Sequence, residues 1–309
     1  MITKTQQNTD NYRFRFYYYH RARDAMRDAV SQLVQKGYHD IYIPGYVGWT
    51  SNEGSGIFDP LYSIPGLERH YYRMDKQLHI NVEDLEASIQ IRSILLLVNY
   101  FGFRDEKFAD IVRIAHTRDC CVIEDNAHGL FTYFCNDSMG SDLTYFSLHK
   151  MLPFAYGGGL LIENHTLDLQ PADFLPMPSN LDPFRYHFGA IACSRVSHFR
   201  TLMHLIEGKE RFFIPLRQMK DIEHNVPQTF PLLIVQGDRD QIYNIMNGVG
   251  YGVVSLYHTL IEELKNEIHQ DACWVAAHIM NLPVHQDCDE REYPGLIEML
   301  VDACEKTSY

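Results

Sequence analysis

Four side chains that could do chemistry together follow short apolar runs within the stretch 120–163. Asp125 and His128 come after the first run, while Ser147 and Lys150 lie at the end of the second. The stretch holds three such runs, broken by Gly, Asn, Asp and Pro, which is typical of buried strands in one sheet. Functional side chains in such sheets lie just past the carboxyl ends of the strands. We therefore expect these four residues to share one site.

An acid and a lysine in this arrangement match the needs of pyridoxal 5'-phosphate (PLP). The cofactor requires a lysine amine to form a Schiff base with its aldehyde, and Lys150 is predicted to supply it. It also requires an acid beside its ring nitrogen, so that the protonated ring draws electrons from the substrate, and Asp125 fits that role. The Ser147 hydroxyl would face the phosphate. An isolated acid and lysine would more often cap turns at the surface.

The residues around these side chains resemble the DegT/DnrJ/EryC1/StrS family, the sugar aminotransferases of PLP fold type I. Three motifs carry the resemblance: Val-Ile-Glu-Asp-Asn-Ala-His at 122–128, Phe-Ser-Leu-His-Lys at 146–150 and Gly-Gly-Gly-Leu-Leu at 157–161. Their order and approximate spacing match the family. One departure is that only two residues separate Ser147 from Lys150, fewer than is usual.

The resemblance implies an α/β fold, namely a fold-type-I PLP-dependent transferase with a mainly parallel central sheet and a smaller C-terminal α+β domain. Residues 1–225 would form the large PLP-binding domain, which includes an N-terminal arm and a connecting segment at 168–225. Residues 226–309 would form the small domain. The implied activity is transfer of an amino group from glutamate to a keto sugar nucleotide, carried out by a homodimer.

The resemblance also assigns residues around the cofactor ring. His128 occupies the position where the family places Gln or His near the ring hydroxyl, with a hydrogen-bonded core histidine as the alternative. The loop 45–51 would supply an aromatic ring stacked on the pyridine. Trp49 is the first choice and Tyr46 the second, since a large apolar body with a polar group suits this role.

The cofactor phosphate is expected at the start of the first helix, where backbone N–H groups and the helix dipole bind anions. The stretch 20–26 is similar to the family's element and places Ala22 and Arg23 there. It lacks the usual Gly-Thr/Ser pair. Arg21 or Arg23 would compensate through a charged contact with the phosphate.

Periodicity predicts the remaining elements. An aromatic patch at 12–19 is either an edge strand or an arm that reaches a second subunit. Short strands are expected at 40–44, 70–74, 93–99 and 231–235, and helical spacing occurs at 23–34, 105–117, 239–247, 254–268, 274–280 and 296–301. The alternation of strands and helices before Asp125 implies parallel pairing.

Composition excludes several classes of function. The 309 residues are 46% hydrophobic and can bury a sizeable core. With 40 acidic against 27 basic residues, a net charge of −13 and no dense basic run, nucleic-acid binding is not expected. The seven cysteines form no CxxC pair and show no metal-ligand spacing, so we expect reduced thiols, a cytoplasmic location and no metal site. No apolar run reaches membrane-spanning length, and we expect no membrane association.

Three alternative functions remain open. Some relatives are PLP-dependent sugar dehydratases that replace the lysine with histidine, and His149 lies beside Lys150. The second alternative is a degenerate member of the same fold that binds the cofactor or has a regulatory role and catalyses no reaction. An α/β-hydrolase is suggested by the run 232–240, but that fold requires a Gly-x-Ser-x-Gly elbow, which the sequence lacks.

Overall fold

A seven-stranded sheet forms the centre of the protein in the computed structural model, which describes residues 16–136, 139–176 and 182–308. Its strand order is β1-β7-β6-β5-β4-β2-β3. The strands are β1 (Phe16–Tyr19), β2 (Asp40–Pro44), β3 (Glu68–Tyr72), β4 (Ile94–Val98), β5 (Cys121–Asn126), β6 (Leu143–Ser147) and β7 (Gly158–Ile162).

Five neighbouring strands of this sheet pair in parallel, and of the other two only β7 runs in the opposite direction. Strands β3, β2, β4, β5 and β6 pair in parallel, so their carboxyl ends lie at one edge of the sheet. β7 is antiparallel to β6, and β1 is antiparallel to β7 at the end of the sheet. The predicted edge strand at 12–19 is confirmed for Phe16–Tyr19, whereas residues 12–15 lie outside the described residues.

Helices pack against the strands of the sheet and against one another. They are α1 (Ala22–Gln35), α2 (Phe58–Tyr62), α3 (Val82–Ser88), α4 (Phe108–His116), α5 (Leu130–Cys135), α6 (Leu148–Met151), α7 (Phe188–Ile206), α8 (Arg239–Gly248), α9 (Gln270–His278) and α10 (Tyr293–Lys306). α1 buries Met26, Val30 and Leu33 at helical spacing, and it packs on β6 and β7. Within the described ranges, none of the helices combines the length and apolar character needed to cross a bilayer.

A second, smaller sheet lies in the C-terminal region. It is antiparallel, with the order β10-β9-β8, and consists of β8 (Phe213–Pro215), β9 (Thr229–Ile234) and β10 (Ile279–Pro283). Helices α8 and α10 pack against each other beside it. The division of the chain after residue 225 stays a prediction, and β8 precedes that position.

The predicted helix at 254–268 is wrong. This segment is extended and irregular, with short 3-10 turns at Glu262–Leu264 and Glu267–His269. Its backbone instead pairs with distant parts of the chain: the N–H of Trp49 donates to the Thr259 carbonyl at 2.9 Å. The Leu256 N–H donates to the Asn281 side chain at 3.0 Å. These long-range hydrogen bonds outweigh the local helical spacing of the apolar residues.

Candidate active site

One pocket of about 710 Å³ lies at the carboxyl ends of β5 and β6. Its wall combines residues from the central sheet, the start of α1, the loop after β2 and the extended segment around residue 257. Seven of the eight residues predicted for the site line it: Ala22, Arg23, Trp49, Asp125, His128, Ser147 and Lys150. Residues separated by more than a hundred positions in the chain therefore meet in one cavity.

Lys150 and His128 are neighbours inside this pocket. Lys150 lies in α6, which begins directly after β6, and its side chain is exposed to the pocket. Its Nζ is 3.3 Å from Nε2 of His128. On the other side of the ring, the backbone N–H of Phe101 donates to His128 Nδ1 at 3.3 Å. Because Nδ1 accepts, a neutral His128 carries its proton on Nε2.

This tautomer favours an uncharged amine at Lys150. When His128 Nε2 donates, the Lys150 nitrogen must accept, and only a neutral amine has a lone pair to do so. Burial lowers the pKa of Lys150, although the charges of Asp125 and Glu53 act in the opposite direction. Burial and the adjacent lysine also lower the pKa of His128 well below its usual range. Burial favours the neutral form of each group, and a neutral amine is the nucleophilic form of lysine.

Asp125 is buried in the last part of β5 and lines the same pocket as Lys150. Burial raises the pKa of its carboxyl group. The neighbouring Tyr145 hydroxyl, the Ala127 backbone N–H and the charge of Lys150 act in the opposite direction. The Ala127 N–H donates to Oδ1 at 2.8 Å, which fixes the orientation of the carboxylate.

The neighbouring acid, Glu124, has a structural role. It is fully buried, and its Oε1 accepts from Arg104 Nε and from Asn99 Nδ2, each at 2.7 Å. Ser141 Oγ donates to Oε2 at 3.2 Å. Alternation along β5 thus sends the two consecutive acids to opposite faces of the sheet, one into an ion pair and one into the pocket.

Glu124→Gln is expected to lower the free energy of unfolding by about 3 kcal/mol, because it removes the buried charge that Arg104 faces. Urea unfolding monitored by circular dichroism measures this loss. Glu106→Gln is the matched control, since Glu106 forms an exposed pair with Lys220 at 3.3 Å and its loss should cost less than about 1 kcal/mol. Equal effects of the two substitutions would contradict the structural role of Glu124.

The start of α1 forms a tight corner with β7. A Cβ added at Gly158 would lie 2.3 Å from the Arg21 carbonyl carbon and 2.4 Å from the Ala22 nitrogen, so only glycine allows this approach. The first backbone N–H groups of a helix lack intrahelical acceptors, and here they border the pocket. Ser147 lies in the same pocket, with its Oγ 3.3 Å from His149 Nδ1.

Arg23 belongs to the same corner. It lines the pocket, and its Nη1 donates to the Glu53 carbonyl at 3.2 Å. Its charge therefore lies at the cavity wall together with the helix start, as expected for an anion-binding element.

The two aromatic residues predicted after β2 lie in different places. Trp49 borders the pocket and is 43% exposed. Tyr46 is fully buried and does not line the pocket; its ring packs on Tyr100 and Tyr257, at centroid distances of 5.3 and 5.6 Å. The geometry thus supports Trp49, the first choice, and not Tyr46 as a residue that could stack on a ligand.

Sequence reasoning missed Tyr257. This residue lines the pocket, and its ring centroid is 5.7 Å from that of His128. Burial raises the pKa of its hydroxyl group, and the charge of Asp125 raises it further. Helical spacing predicts a helix at 254–268, and no local motif marks this tyrosine. Only the pairing of the segment with the loop after β2 brings it to the site.

Outside the pocket, three potential metal ligands cluster at the edge of the central sheet. Single ligand atoms of Asp40, Glu68 and His70 lie within 4.8 Å of one another. A hydrogen bond of 2.7 Å between Asp40 Oδ1 and His70 Nε2 explains the proximity of two of them. The pairing of β2 with β3 places Asp40 opposite Glu68.

Comparison with known proteins supports the family resemblance that the motifs indicate. A model of the DegT/DnrJ/EryC1/StrS aminotransferase family matches residues 66–170. This match includes the stretch 120–163 and confirms the predicted resemblance. No curated protein sequence matches the chain.

Solved structures share the whole architecture. A sugar aminotransferase from Micromonospora echinospora is 14% identical, with a TM-score of 0.72, and the match covers 96% of this chain and 90% of that one. An aminotransferase from Helicobacter pylori involved in the biosynthesis of pseudoaminic acid is 14% identical, with a TM-score of 0.72 and coverages of 94% and 87%. The GDP-4-keto-6-deoxy-D-mannose-3-dehydratase of E. coli with bound hydrated PLP is 15% identical, with a TM-score of 0.70 and coverages of 92% and 87%. The predicted fold class, a fold-type-I α/β protein, is confirmed.

Proposed function

Starting from the confirmed resemblance to the DegT/DnrJ/EryC1/StrS family, we propose that this protein is a PLP-dependent aminotransferase. It moves an amino group from glutamate to a keto sugar nucleotide, and its working unit is a homodimer. The observation that carries the proposal is that Lys150 and Asp125 line one pocket, in which Nζ of Lys150 lies 3.3 Å from Nε2 of His128. The sugar-processing activities of the structural relatives support the choice of substrate.

The residues of the pocket fit PLP. Bound PLP supplies an electron-poor ring that stabilises negative charge on the substrate carbon. Lys150 would hold the cofactor through its aldehyde, and Asp125 would keep the proton on the ring nitrogen. His128 lies beside the amine and would contact the ring hydroxyl.

The phosphate of the cofactor fits the corner between α1 and β7. Backbone N–H groups at Ala22 and Arg23, the guanidinium of Arg23 and the hydroxyl of Ser147 are the donors available there. Trp49 lines the same pocket and would stack on the cofactor ring. Since the helix start presents its positive end, it suits a group with two negative charges.

Lys150 would also move a proton during the reaction. Its Nζ would accept the proton from the substrate carbon as general base and later return it as general acid. His128 would hold this amine in position between proton transfers, because its Nε2 lies 3.3 Å from Nζ of Lys150.

A dehydratase is the second candidate, since one of the structural relatives is a dehydratase. Dehydratases of this family replace the lysine with histidine, and here Lys150, not His149, reaches His128. The imidazole of His149 is next to Ser147 instead. The aminotransferase is therefore the better supported activity, and a non-catalytic PLP-binding member is the remaining alternative.

Absorbance spectroscopy tests the proposal. The purified protein mixed with PLP is expected to show a visible band of bound cofactor, and glutamate should shift this band. Addition of single keto sugar nucleotides should then restore it and yield an amino sugar. A band that glutamate leaves unchanged supports the non-catalytic alternative, a deoxy product without nitrogen supports the dehydratase, and absence of any band refutes PLP binding.

A further inference from the structure

The ring of Tyr257 forms part of the wall around the candidate cofactor site. It packs against His128 at 5.7 Å and against Tyr100 at 5.4 Å between ring centroids. Its phenol is close enough to Asp125 for the charge of that carboxylate to act on it. Tyr257 thus lies near two of the residues proposed to contact PLP, although it comes from a distant part of the chain.

The backbone at Tyr257 is strained and firmly positioned. Its φ of +61° is in the left-handed region, which β-carbon-bearing residues rarely adopt. Hydrogen bonds on both sides fix it: the Leu256 N–H donates to Asn281 Oδ1, and the Thr259 carbonyl accepts from the Trp49 N–H. Such strain persists only where the surroundings enforce it, and it concentrates at functional sites.

Asn281 links this loop to the small sheet. It lies in β10, is fully buried, and its Nδ2 donates to Thr229 Oγ1 in β9 at 3.1 Å. The position of Tyr257 therefore depends on the C-terminal sheet as well as on its own loop.

Gly48, in the loop after β2, leaves room for the ring of Tyr257. A Cβ at Gly48 would lie 2.5 Å from Cδ1 and 3.1 Å from Cα of Tyr257. Any larger residue at position 48 would push the ring away. Gly48 and Tyr257 are therefore a matched pair of positions, in which the missing side chain of one makes room for the other.

We infer that Tyr257 is a further cofactor-binding residue, whose ring contributes directly to the affinity of the site for PLP. The segment around residue 257 would then contribute to the cofactor site together with the motifs of the central sheet. This inference rests on the proposed function, because it assumes that PLP is the ligand.

Titration with PLP, followed by the visible absorbance and circular dichroism of the bound cofactor, tests the inference without any assay of turnover. Tyr257→Ala is expected to raise the apparent dissociation constant about tenfold, and Tyr257→Phe, which keeps the ring, should stay within about twofold of the wild type. Tyr243→Ala is the matched control, since Tyr243 is also a partly buried tyrosine but lies in α8 and does not line the pocket.

Gly48→Ala provides a second route, because it displaces the ring and leaves the tyrosine in place. It should also weaken PLP binding, and the double variant Gly48→Ala/Tyr257→Ala should bind like Tyr257→Ala alone, since both changes remove one interaction. Unchanged or tighter binding by Tyr257→Ala would overturn the inference, as would failure of Tyr257→Phe to restore affinity. If the wild-type protein itself binds no PLP, the proposed function fails; if only the variants behave unexpectedly, the inference alone fails.

Discussion

Replacing Lys150 with alanine is expected to abolish amino transfer and the visible band of bound PLP. The substitution removes the amine that attaches to the aldehyde and the base that moves the substrate proton. General acid–base catalysis alone contributes roughly 100- to 10,000-fold, so kcat should fall by at least about 1,000-fold. Stopped-flow measurement of the half-reaction with glutamate gives this value directly.

Lys107→Ala is the control for this experiment. Lys107 is exposed, lies just before α4 and has no place in the pocket. It should leave both the spectrum and the rate unchanged. A Lys150→Ala protein that still shows the band and transfers an amino group at the wild-type rate would refute the assignment of Lys150.

Asp125→Asn is expected to reduce kcat about 100- to 10,000-fold while leaving the fold intact. An amide cannot carry the negative charge that keeps the ring nitrogen protonated, so the cofactor loses its capacity to withdraw electrons. The side-chain oxygen that accepts from the Ala127 N–H survives the change, and packing at the end of β5 is preserved. Rate and unfolding free energy should both be measured.

The adjacent residue provides the comparison for Asp125. Glu124→Gln should destabilise the protein through its ion pair with Arg104, whereas Asp125→Asn should lower the rate with little loss of stability. Two neighbouring acids in one strand would then separate into a structural and a chemical role. Wild-type activity in the Asp125→Asn protein would exclude it as the partner of the ring nitrogen.

The sequence was sufficient to predict that Asp125 and Lys150 line one pocket, because both residues follow local motifs. Asp125 and Lys150 each lie at the end of a strand that an apolar run already marks, and parallel pairing of those strands places them at one edge. Helical periodicity predicts the helix at 23–34, which the structure has as Ala22–Gln35. In these cases neighbouring residues in the chain carry the information about position.

Long-range pairing explains what the sequence did not predict. The apolar residues of 254–268 recur at helical spacing, yet bonds to Trp49 and Asn281 keep this segment extended. Tyr257 reaches the pocket only through that pairing. Similarly, nothing local distinguishes Trp49, which borders the pocket, from Tyr46, which is buried; the packing of Tyr46 on Tyr100 decides their places.

The contact between Gly158 and the start of α1 has a consequence for the energetics of ligand capture. Because no side chain separates the backbone of β7 from that of Arg21 and Ala22, the corner proposed to bind the phosphate is already closely packed before a ligand arrives. A preorganised site spares the entropy that a flexible loop would lose on closing around a phosphate. Binding free energy at this corner is then available to orient the reactive end of the ligand toward Lys150.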